Sequence, residues 1–347
     1  MRKPFAGIAV LLLGSGLAWA GLAESGLAQD TALFGARGIS AQSVRQGLLG
    51  SCYFHATIAA LAKTTPGTLR NAIRRTPNGG YKVHFFSGPD EAVYQSDVDY
   101  GREHNYDRSD GTWVAVLMRA YAQRALRLSL VEAIQKSDLI PMFIQPTAIS
   151  WLNGSDMLLV DYDRAIRSVV NQDGTMDQNQ LKVHLATELH ADGIPSSEAQ
   201  ALVGFLDEKG FFATLARTVQ ENGEVFGAYK SLGQGGIPVR VMEAFLGQGK
   251  VYAGFTSNPQ KTMDQLHRFR AGGVAMVAGT KAMAPSEQYA SASWWVPAHC
   301  YTLLSYDDAA QTVTLRNPWG EHPSPSGVFT LPLSVYLDGY ESYTYTQ

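Results

Sequence analysis

Apolar and small residues dominate one short run of the chain, from Cys52 to Leu61 (CYFHATIAAL). The apolar positions recur with the spacing of a buried α-helix, not with the alternation of a strand. Gly47 and Gly50 precede the run, and glycine permits the sharp turn with which a chain enters a helix. The pattern therefore predicts a helix that has Cys52 in its first turn.

A second helix is predicted over GTWVAVLMRAYAQRAL, residues 111–126, whose large apolar side chains fall close to one face. The later part of the chain contains short β-rich runs separated by turn residues, as expected of antiparallel strands. These runs are GGVAMVAGT, CYTLLSY and QTVTLRNPWG, at residues 272–280, 300–306 and 311–320. Helices come early and strands late, which indicates an α+β fold with a helical lobe and a sheet lobe instead of a βαβ repeat.

The pattern changes between about residues 123 and 230, where helical spacings such as Leu181, Leu185 and Leu189 alternate with polar turns. This segment contains no repeat and no low-complexity tract. It is predicted to be helical.

One loop in that segment, NQDGTMD at residues 171–177, has some features of a calcium-binding EF-hand loop. Aligning Gly174 with the invariant glycine of such a loop places Val169 at the first ligand position and Gln180 where a bidentate glutamate is needed. An Asp-Gly turn between two helices is therefore the favoured interpretation.

Composition describes a folded protein, because 45% of the 347 residues are hydrophobic and only 17% are charged. The formal net charge is -3, and the lysines and arginines are scattered along the chain. A nucleic-acid-binding protein normally carries a basic patch, so we expect no nucleic-acid partner.

The first twenty residues have the pattern of a signal peptide, with a basic start (MRK), an apolar stretch and the small-x-small cleavage site Ala18-Trp19-Ala20. The mature protein is predicted to begin at Gly21. A second possible cleavage site, Gly26-Leu27-Ala28, would place its first residue at Gln29 instead. An uncleaved membrane anchor is the alternative, but the apolar stretch is short for a span. We expect export to the periplasm or the cell exterior, with no stable membrane insertion after cleavage.

Only two cysteines are present, Cys52 and Cys300, so the chain is not a disulfide scaffold. A thiol attacks as its thiolate and therefore needs a positive environment, such as a helix N-terminus or a nearby imidazolium. The predicted helix supplies the first. His299, on a β-like segment, is the candidate for the second.

Two further residues complete a catalytic set. Asn317 follows the next predicted strand, so an antiparallel pairing would bring its side-chain oxygen to His299 and orient the imidazole. Trp319 would shield that hydrogen bond from water. Gln46, six residues before Cys52, can direct an amide N–H at a developing oxyanion, with the Cys52 main-chain N–H as the second donor.

Other candidates have structural interpretations. His55, one helical turn after Cys52, is expected to be a hydrogen-bonded packing residue, not a second base. Cys300 follows His299 on a strand, so its side chain is expected on the opposite face, buried and unpaired. The remaining histidines lack the spacing of a zinc site.

The stretch QGLLGSCYF (Gln46–Phe54), the His299 segment and RNPWG (Arg316–Gly320) together resemble the protease core of the calpain family of papain-fold cysteine peptidases. The resemblance covers roughly residues 42–122 and 231–345. It implies a two-lobe catalytic domain over residues 21–347, interrupted by a helical insertion at about 123–230. The insertion is expected to pack beside the cleft and limit access to it.

The resemblance also implies roles for four residues. Cys52 would be the nucleophile, His299 the general base and acid, Asn317 the orienting residue and Gln46 the oxyanion donor, acting on protein or peptide substrates. Ser51 and Tyr53 replace the family's usual Asp and Trp, which alters the shape of the pocket but removes no catalytic group.

No cofactor is expected. After RNPWG the chain reads EHPSPSGVF, where the animal relatives have an acidic loop that contains a tryptophan. Calcium is therefore not supported by the sequence, although Asp307, Asp308 and Asp338 from separate loops could still converge in space.

The sequence thus predicts an exported cysteine endopeptidase. Two alternatives remain open. One is an inactive papain-fold binding module that uses the insertion as its interaction surface. The other is an enzyme that transfers the acyl group to an amine, as a transglutaminase does. Asn317 in an RNPWG frame makes this second alternative the weaker one.

Overall fold

The computed structural model describes residues 31–87, 90–136, 177–191, 193–208, 210, 212–213 and 228–347. It is a mixed α+β structure with two antiparallel sheets, so the α+β class predicted from the sequence is confirmed. The predicted signal peptide and most of the NQDGTMD loop lie outside the described residues. Within them, no helix is long and apolar enough to cross a membrane.

The N-terminal half is mainly helical. Its helices are α1 (Thr31–Phe34), α2 (Cys52–Thr64), α3 (Pro66–Ala72), α4 (Gln95–Glu103) and α5 (Trp113–Lys136), with a short 3-10 helix at Ala41–Ser43. A small antiparallel sheet joins them, formed by β1 (Ile73–Arg75), β2 (Tyr81–Val83) and β3 (Glu91–Val93) in that order. The sequence does not predict this sheet, because strands of three residues are too short to show the alternation of apolar and polar side chains that marks a strand.

The described parts of the segment from 123 to 230 are helical as well. Helix α5 runs through residue 123 without a break, and it is followed by α6 (Gln178–Ala191), α7 (Ser196–Glu208) and α8 (Ala228–Gly233). Leu181, Leu185 and Leu189, which carried the helical pattern in the sequence, are all fully buried on α6.

The C-terminal half is built on a six-stranded antiparallel sheet with strand order β4-β9-β5-β6-β7-β8. The strands are β4 (Val251–Phe255), β5 (Met276–Thr280), β6 (Cys300–Asp307), β7 (Thr312–Arg316), β8 (Val328–Pro332) and β9 (Tyr340–Thr346). Helix α9 (Pro238–Leu246) precedes β4, and helices α10 (Pro259–Ala271), α11 (Glu287–Ala290) and α12 (Leu333–Gly339) lie between later strands in the chain. The three predicted strand runs became β5, β6 and β7.

Helix α2 is the predicted alanine-rich helix, and it packs against one face of β6. The small side chains at Ala56, Ala59 and Ala60 are buried and let the helix approach the strand closely. The Thr302 hydroxyl of β6 donates a hydrogen bond to the Ala56 carbonyl of α2 at 2.8 Å. Since Thr302 is fully buried, this bond fixes the helix along the strand.

The loop that leads into α2 is held by a second chain segment. The Gly47 N–H donates to the Tyr106 carbonyl at 3.1 Å, and the Leu48 N–H donates to the Asn105 carbonyl at 2.7 Å. Gln46 and Asp107 form a bridge in the same antiparallel sense. The two backbones approach so closely that a Cβ at Gly47 would lie 1.7 Å from the Asn105 oxygen.

We therefore predict that Gly47→Ala lowers the free energy of unfolding by at least ~1–3 kcal/mol, the usual cost of overpacking. The matched control is Gly67→Ala in α3, where an added Cβ meets no atom within 4 Å. That control should instead raise the free energy of unfolding by about 0.5–1 kcal/mol, because alanine is the better helix former. Urea unfolding followed by circular dichroism measures both. Equal stabilities for the two variants would contradict the close approach.

Candidate active site

Cys52 is the first residue of α2 and opens onto a cleft of about 710 Å³ between the helical and sheet halves. The helix N-terminus carries a partial positive charge, and its first N–H groups have no intrahelical acceptor. The thiol is partly buried. The residues that line the cleft include Gln46, Tyr53, Gly236, His299, Cys300 and Trp319.

His299 reaches the cleft from the other side, just before β6. Its main chain is fixed by Thr280 at the end of β5: the His299 N–H donates to the Thr280 hydroxyl oxygen at 2.9 Å, and the Thr280 N–H donates to the His299 carbonyl. Ala298 precedes it in the left-handed region, with φ of 48°. This turn places the His299 imidazole in the wall of the cleft, at the start of β6.

Asn317 orients the imidazole. Nε2 of His299 lies 3.0 Å from Oδ1 of Asn317. Since that oxygen can only accept, Nε2 carries the proton of this bond, and Nδ1 is the ring nitrogen left to face Cys52. Oδ1 also accepts from the Trp319 N–H at 3.1 Å, and Asn317 is fully buried.

Trp319 covers this pair, as the sequence predicted. Its ring lies 4.9 Å from the His299 ring, measured between centroids. The antiparallel register pairs Thr302 with Arg316, so the start of β6 lies beside the end of β7. Asn317 and Trp319, in the loop after β7, therefore lie beside His299.

Gln46 joins the two halves of the site. Its main-chain N–H donates to the Pro318 carbonyl at 2.8 Å, and its side-chain Nε2 donates to the Leu49 carbonyl at 2.7 Å. The side chain is buried at the wall of the cleft. An amide nitrogen carries two hydrogens, so the bond to Leu49 leaves one N–H available.

The surroundings of Cys52 lower its pKa to about 4. The largest cause is a hydrogen bond donated by the Cys300 thiol. Three other interactions also lower the pKa: a hydrogen bond from His299, the positive charge of His299, and a hydrogen bond from the Cys300 main chain. Burial opposes them, because removing water disfavours the charged form. Cys52 is therefore a thiolate throughout the neutral pH range.

Cys300 departs in part from its prediction. It is a free cysteine, as expected, but it is only partly buried, and its thiol contacts Cys52 instead of lying apart from the site. The expectation that its side chain points away from His299 is wrong, because His299 and Cys300 both contact Cys52. Strand β6 begins at Cys300, so alternation along the strand relates Cys300 to Tyr301 and not to His299. The face to which Cys300 turns is the one that α2 covers, and α2 begins at Cys52.

His55 is a buried packing residue, as predicted. Nδ1 lies 3.1 Å from the Ser51 hydroxyl, and Nε2 lies 3.3 Å from the Asp107 carboxylate. The same carboxylate accepts from the Ser109 hydroxyl at 2.6 Å. The sequence gives no sign of the role of Asp107, because nothing in its spacing connects it with α2. This network holds the first turn of α2 against the segment that pairs with Gln46.

The three aspartates considered for calcium do not converge. Asp308 pairs with His267 and Arg270, at 3.3 and 3.5 Å. Asp338 lies 3.9 Å from Lys281, and Asp307 accepts from the Ala310 N–H. Across the described residues, no group of three or more His, Cys, Asp or Glu side chains is arranged to hold a metal ion.

Comparison with known proteins gives little. No family model matches the chain, and no curated protein matches it. Among solved structures, PepW from Lactobacillus rhamnosis HN001 is similar to 89% of this chain and 80% of its own, at 10% sequence identity and a TM-score of 0.29. A likeness of that size supports no argument about fold or function.

We predict that Cys52 is alkylated by iodoacetamide at a nearly constant rate between pH 5 and 9, because its pKa of about 4 lies below this range. In Cys300→Ala the largest cause of that low pKa is gone, so the midpoint of the rate profile should move upward. Mass spectrometry of the alkylated peptide measures the rate. A wild-type rate that rises steeply between pH 7 and 9 would show an ordinary thiol.

Proposed function

We propose that this protein is a papain-fold cysteine endopeptidase that hydrolyses peptide bonds through a thioester at Cys52. The observation that carries the proposal is the contact of the Cys52 thiolate with His299, whose far ring nitrogen is held by Asn317 at 3.0 Å. A nucleophile, a base and an orienting group in one hydrogen-bonded line are the parts that acyl transfer needs.

The two halves of the molecule fit the two lobes of this fold. The helical half supplies the nucleophile at the N-terminus of α2, and the antiparallel sheet supplies His299 and Asn317. The cleft is lined by residues of both halves, with Cys52 and His299 among them, so a bound peptide would contact the nucleophile and the base together. Protein or peptide substrates follow from this assignment.

In the first step the Cys52 sulfur attacks the peptide carbonyl carbon, and the carbonyl oxygen becomes an oxyanion. The free N–H of Gln46 Nε2 and the Cys52 main-chain N–H would stabilise that charge. His299 Nδ1 then gives its proton to the leaving amine as the C–N bond breaks, which leaves a thioester and a neutral imidazole.

In the second step His299 takes a proton from water while the water oxygen attacks the thioester carbon. The C–S bond breaks, the carboxylic acid leaves, and Cys52 returns as the thiolate beside the protonated imidazole. Asn317 keeps the ring in one orientation through both proton transfers, and Trp319 excludes water from that bond.

Export belongs to the same proposal. The signal-peptide pattern of residues 1–20 would direct the enzyme to the periplasm or the cell exterior. The inactive binding module is the second candidate from the sequence. Gln46, Cys52 and His299 line an open cleft, with Asn317 buried behind His299. This arrangement and the low pKa of the Cys52 thiol favour the enzyme.

Substitution of the site tests the reaction. Cys52→Ala should leave a folded protein without peptidase activity, and an epoxide inhibitor should label wild-type protein at Cys52 alone. Gln46→Ala should lower kcat by roughly 10²–10³ with little change in KM, because an oxyanion donor acts mainly in the transition state. Cleavage of a fluorogenic peptide and of casein measures both variants.

The matched control is Gln42→Ala, an exposed glutamine on the preceding 3-10 helix, which should keep wild-type kcat. Circular dichroism establishes that each variant is folded. Peptide cleavage by folded Cys52→Ala at the wild-type rate would disprove the proposal. Product analysis with an added amine separates hydrolysis from transglutaminase-type transfer.

Calcium should have no effect. Since Asp308 and Asp338 are held by basic side chains, we predict equal rates of peptide cleavage in excess EGTA and in millimolar calcium, and equal midpoints of thermal unfolding. A ligand that binds only the native state raises that midpoint. A rise in rate or midpoint with calcium would reveal a site formed by residues outside this set.

A further inference from the structure

Cys300 takes its direction from a fixed register between β6 and α2. Cys300 and Thr302 are two residues apart on one strand, so their side chains emerge on the same face. Thr302 hydrogen-bonds to Ala56 of α2 on that face at 2.8 Å. Cys300 and Leu304 pack with the core that contains α2, whereas Tyr301 and Leu303 pack in the core on the other side of the sheet.

The same contact also explains why Cys52 and Cys300 are neighbours. From Ala56 back to Cys52 is four helical residues, or ~6 Å. From Thr302 back to Cys300 is two strand residues, or ~7 Å. The two chains cover nearly equal lengths from one hydrogen-bonded point, and both reach the same cleft, which Cys52 and Cys300 line together. The Cys300 thiol donates to the Cys52 sulfur there.

Both cysteines are free, and both line the same cleft. Each residue lines the open cleft and neither is fully buried, so the cleft is the route by which a small oxidant would approach Cys52. Cys52 is the reactive member, as a thiolate at a helix N-terminus. A cysteine that is both low in pKa and adjacent to a second thiol is the usual arrangement of a redox-sensitive site.

We propose that Cys52 and Cys300 form a reversible disulfide in response to peroxides, with Cys52 as the reacting and Cys300 as the resolving cysteine. The site is thus a modification site as well as a catalytic one. The bond would consume the nucleophile, so the oxidised protein could form no thioester; that consequence rests on the proposed peptidase function, whereas the disulfide itself does not.

The chemistry balances in two steps. The Cys52 thiolate attacks one oxygen of the peroxide, the O–O bond breaks, and the sulfur is oxidised to a sulfenic acid. The leaving oxygen takes one proton from the solvent, so the peroxide is reduced to an alcohol, or to water from hydrogen peroxide. The Cys300 sulfur then attacks the Cys52 sulfur, an S–S bond forms, and hydroxide leaves with the Cys300 proton as water.

The order of the two cysteines follows from their interaction. The hydrogen bond to Cys52 is the largest cause that raises the pKa of Cys300; burial and the Cys52 charge act in the same direction. A sulfenic acid is neutral, so the first step removes that charge and weakens that hydrogen bond. Cys300 therefore becomes easier to deprotonate only after Cys52 has been oxidised, which prevents it from competing for the peroxide.

Reduction reverses the reaction through the same cleft. A small dithiol attacks one sulfur of the disulfide, and exchange within the mixed disulfide releases both cysteines with oxidation of the dithiol. Without Cys300, excess peroxide would carry Cys52 on to the sulfinic acid, which thiols do not reduce. The resolving cysteine thus protects the nucleophile from permanent loss.

The experiment treats reduced wild-type protein and the variants Cys300→Ala and Cys300→Ser with a graded excess of hydrogen peroxide. Samples are then blocked, digested without reduction and mapped by mass spectrometry. Wild type should give a linked peptide pair containing Cys52 and Cys300, which dithiothreitol abolishes. The variants should give Cys52 sulfinic acid instead. Serine is nearly isosteric with cysteine, so its variant retains the fold if alanine does not.

Peptide cleavage is measured on the same samples, each relative to its own reduced state. Wild type should lose activity with peroxide and regain it with dithiothreitol; the variants should lose it without recovery. Over-oxidised Cys52 in wild type with no linked peptide at any peroxide dose would overturn the disulfide, even in an active peptidase. A linked peptide in a protein whose reduced form cleaves nothing would instead remove the proposed function and leave the disulfide standing.

Discussion

Helix α2 packs against β6 along a line fixed by the hydrogen bond from Thr302 to Ala56, and the candidate site depends on that contact. The helix brings a thiol with the positive end of its dipole, and the strand begins at Cys300, directly after His299. A shift of the helix by one turn would move its N-terminus by ~5 Å. That distance is enough to separate the thiol from both neighbours.

The second constraint lies behind the nucleophile, in the buried pair of His55 and Asp107. Each side chain has no exposed area, and a buried carboxylate without partners would cost several kcal/mol. Here the carboxylate is bound by His55 and Ser109. The pair therefore ties the first turn of α2 to the segment that bridges Gln46, so that the proposed oxyanion donor and the nucleophile share one support.

The electrostatics of the cleft show opposing effects with a clear outcome. Burial raises the pKa of a thiol, and a partly buried cysteine would be expected to be neutral. At Cys52 the hydrogen bonds from Cys300 and His299 outweigh burial and lower its pKa to about 4. At Cys300 the same bond adds to burial and raises the pKa. Two identical side chains in contact thus have opposite chemical roles because one donates to the other.

Local patterns in the sequence determined the fold class, helix α2 with Cys52 in its first turn, and the three strands that surround His299 and Asn317. These features depend on residues within a turn or two of one another, so periodicity and turn chemistry predict them. The pairing of His299 with Asn317 was also predictable, because the two strands are joined by a short connection and form one hairpin.

Tertiary structure alone decided what lies opposite each face. Strand alternation predicted that Cys300 points away from His299, but His299 precedes the strand and both residues contact Cys52. The sequence could not show that α2 covers the face on which Cys300 lies, since α2 and β6 are about 250 residues apart in the chain and no local rule relates them. The partnership of Asp107 with His55, and the separate partners of Asp307, Asp308 and Asp338, were undetermined for the same reason. Contacts between distant segments depend on how the whole core packs, and the residue type at one position does not reveal its partner in a distant segment.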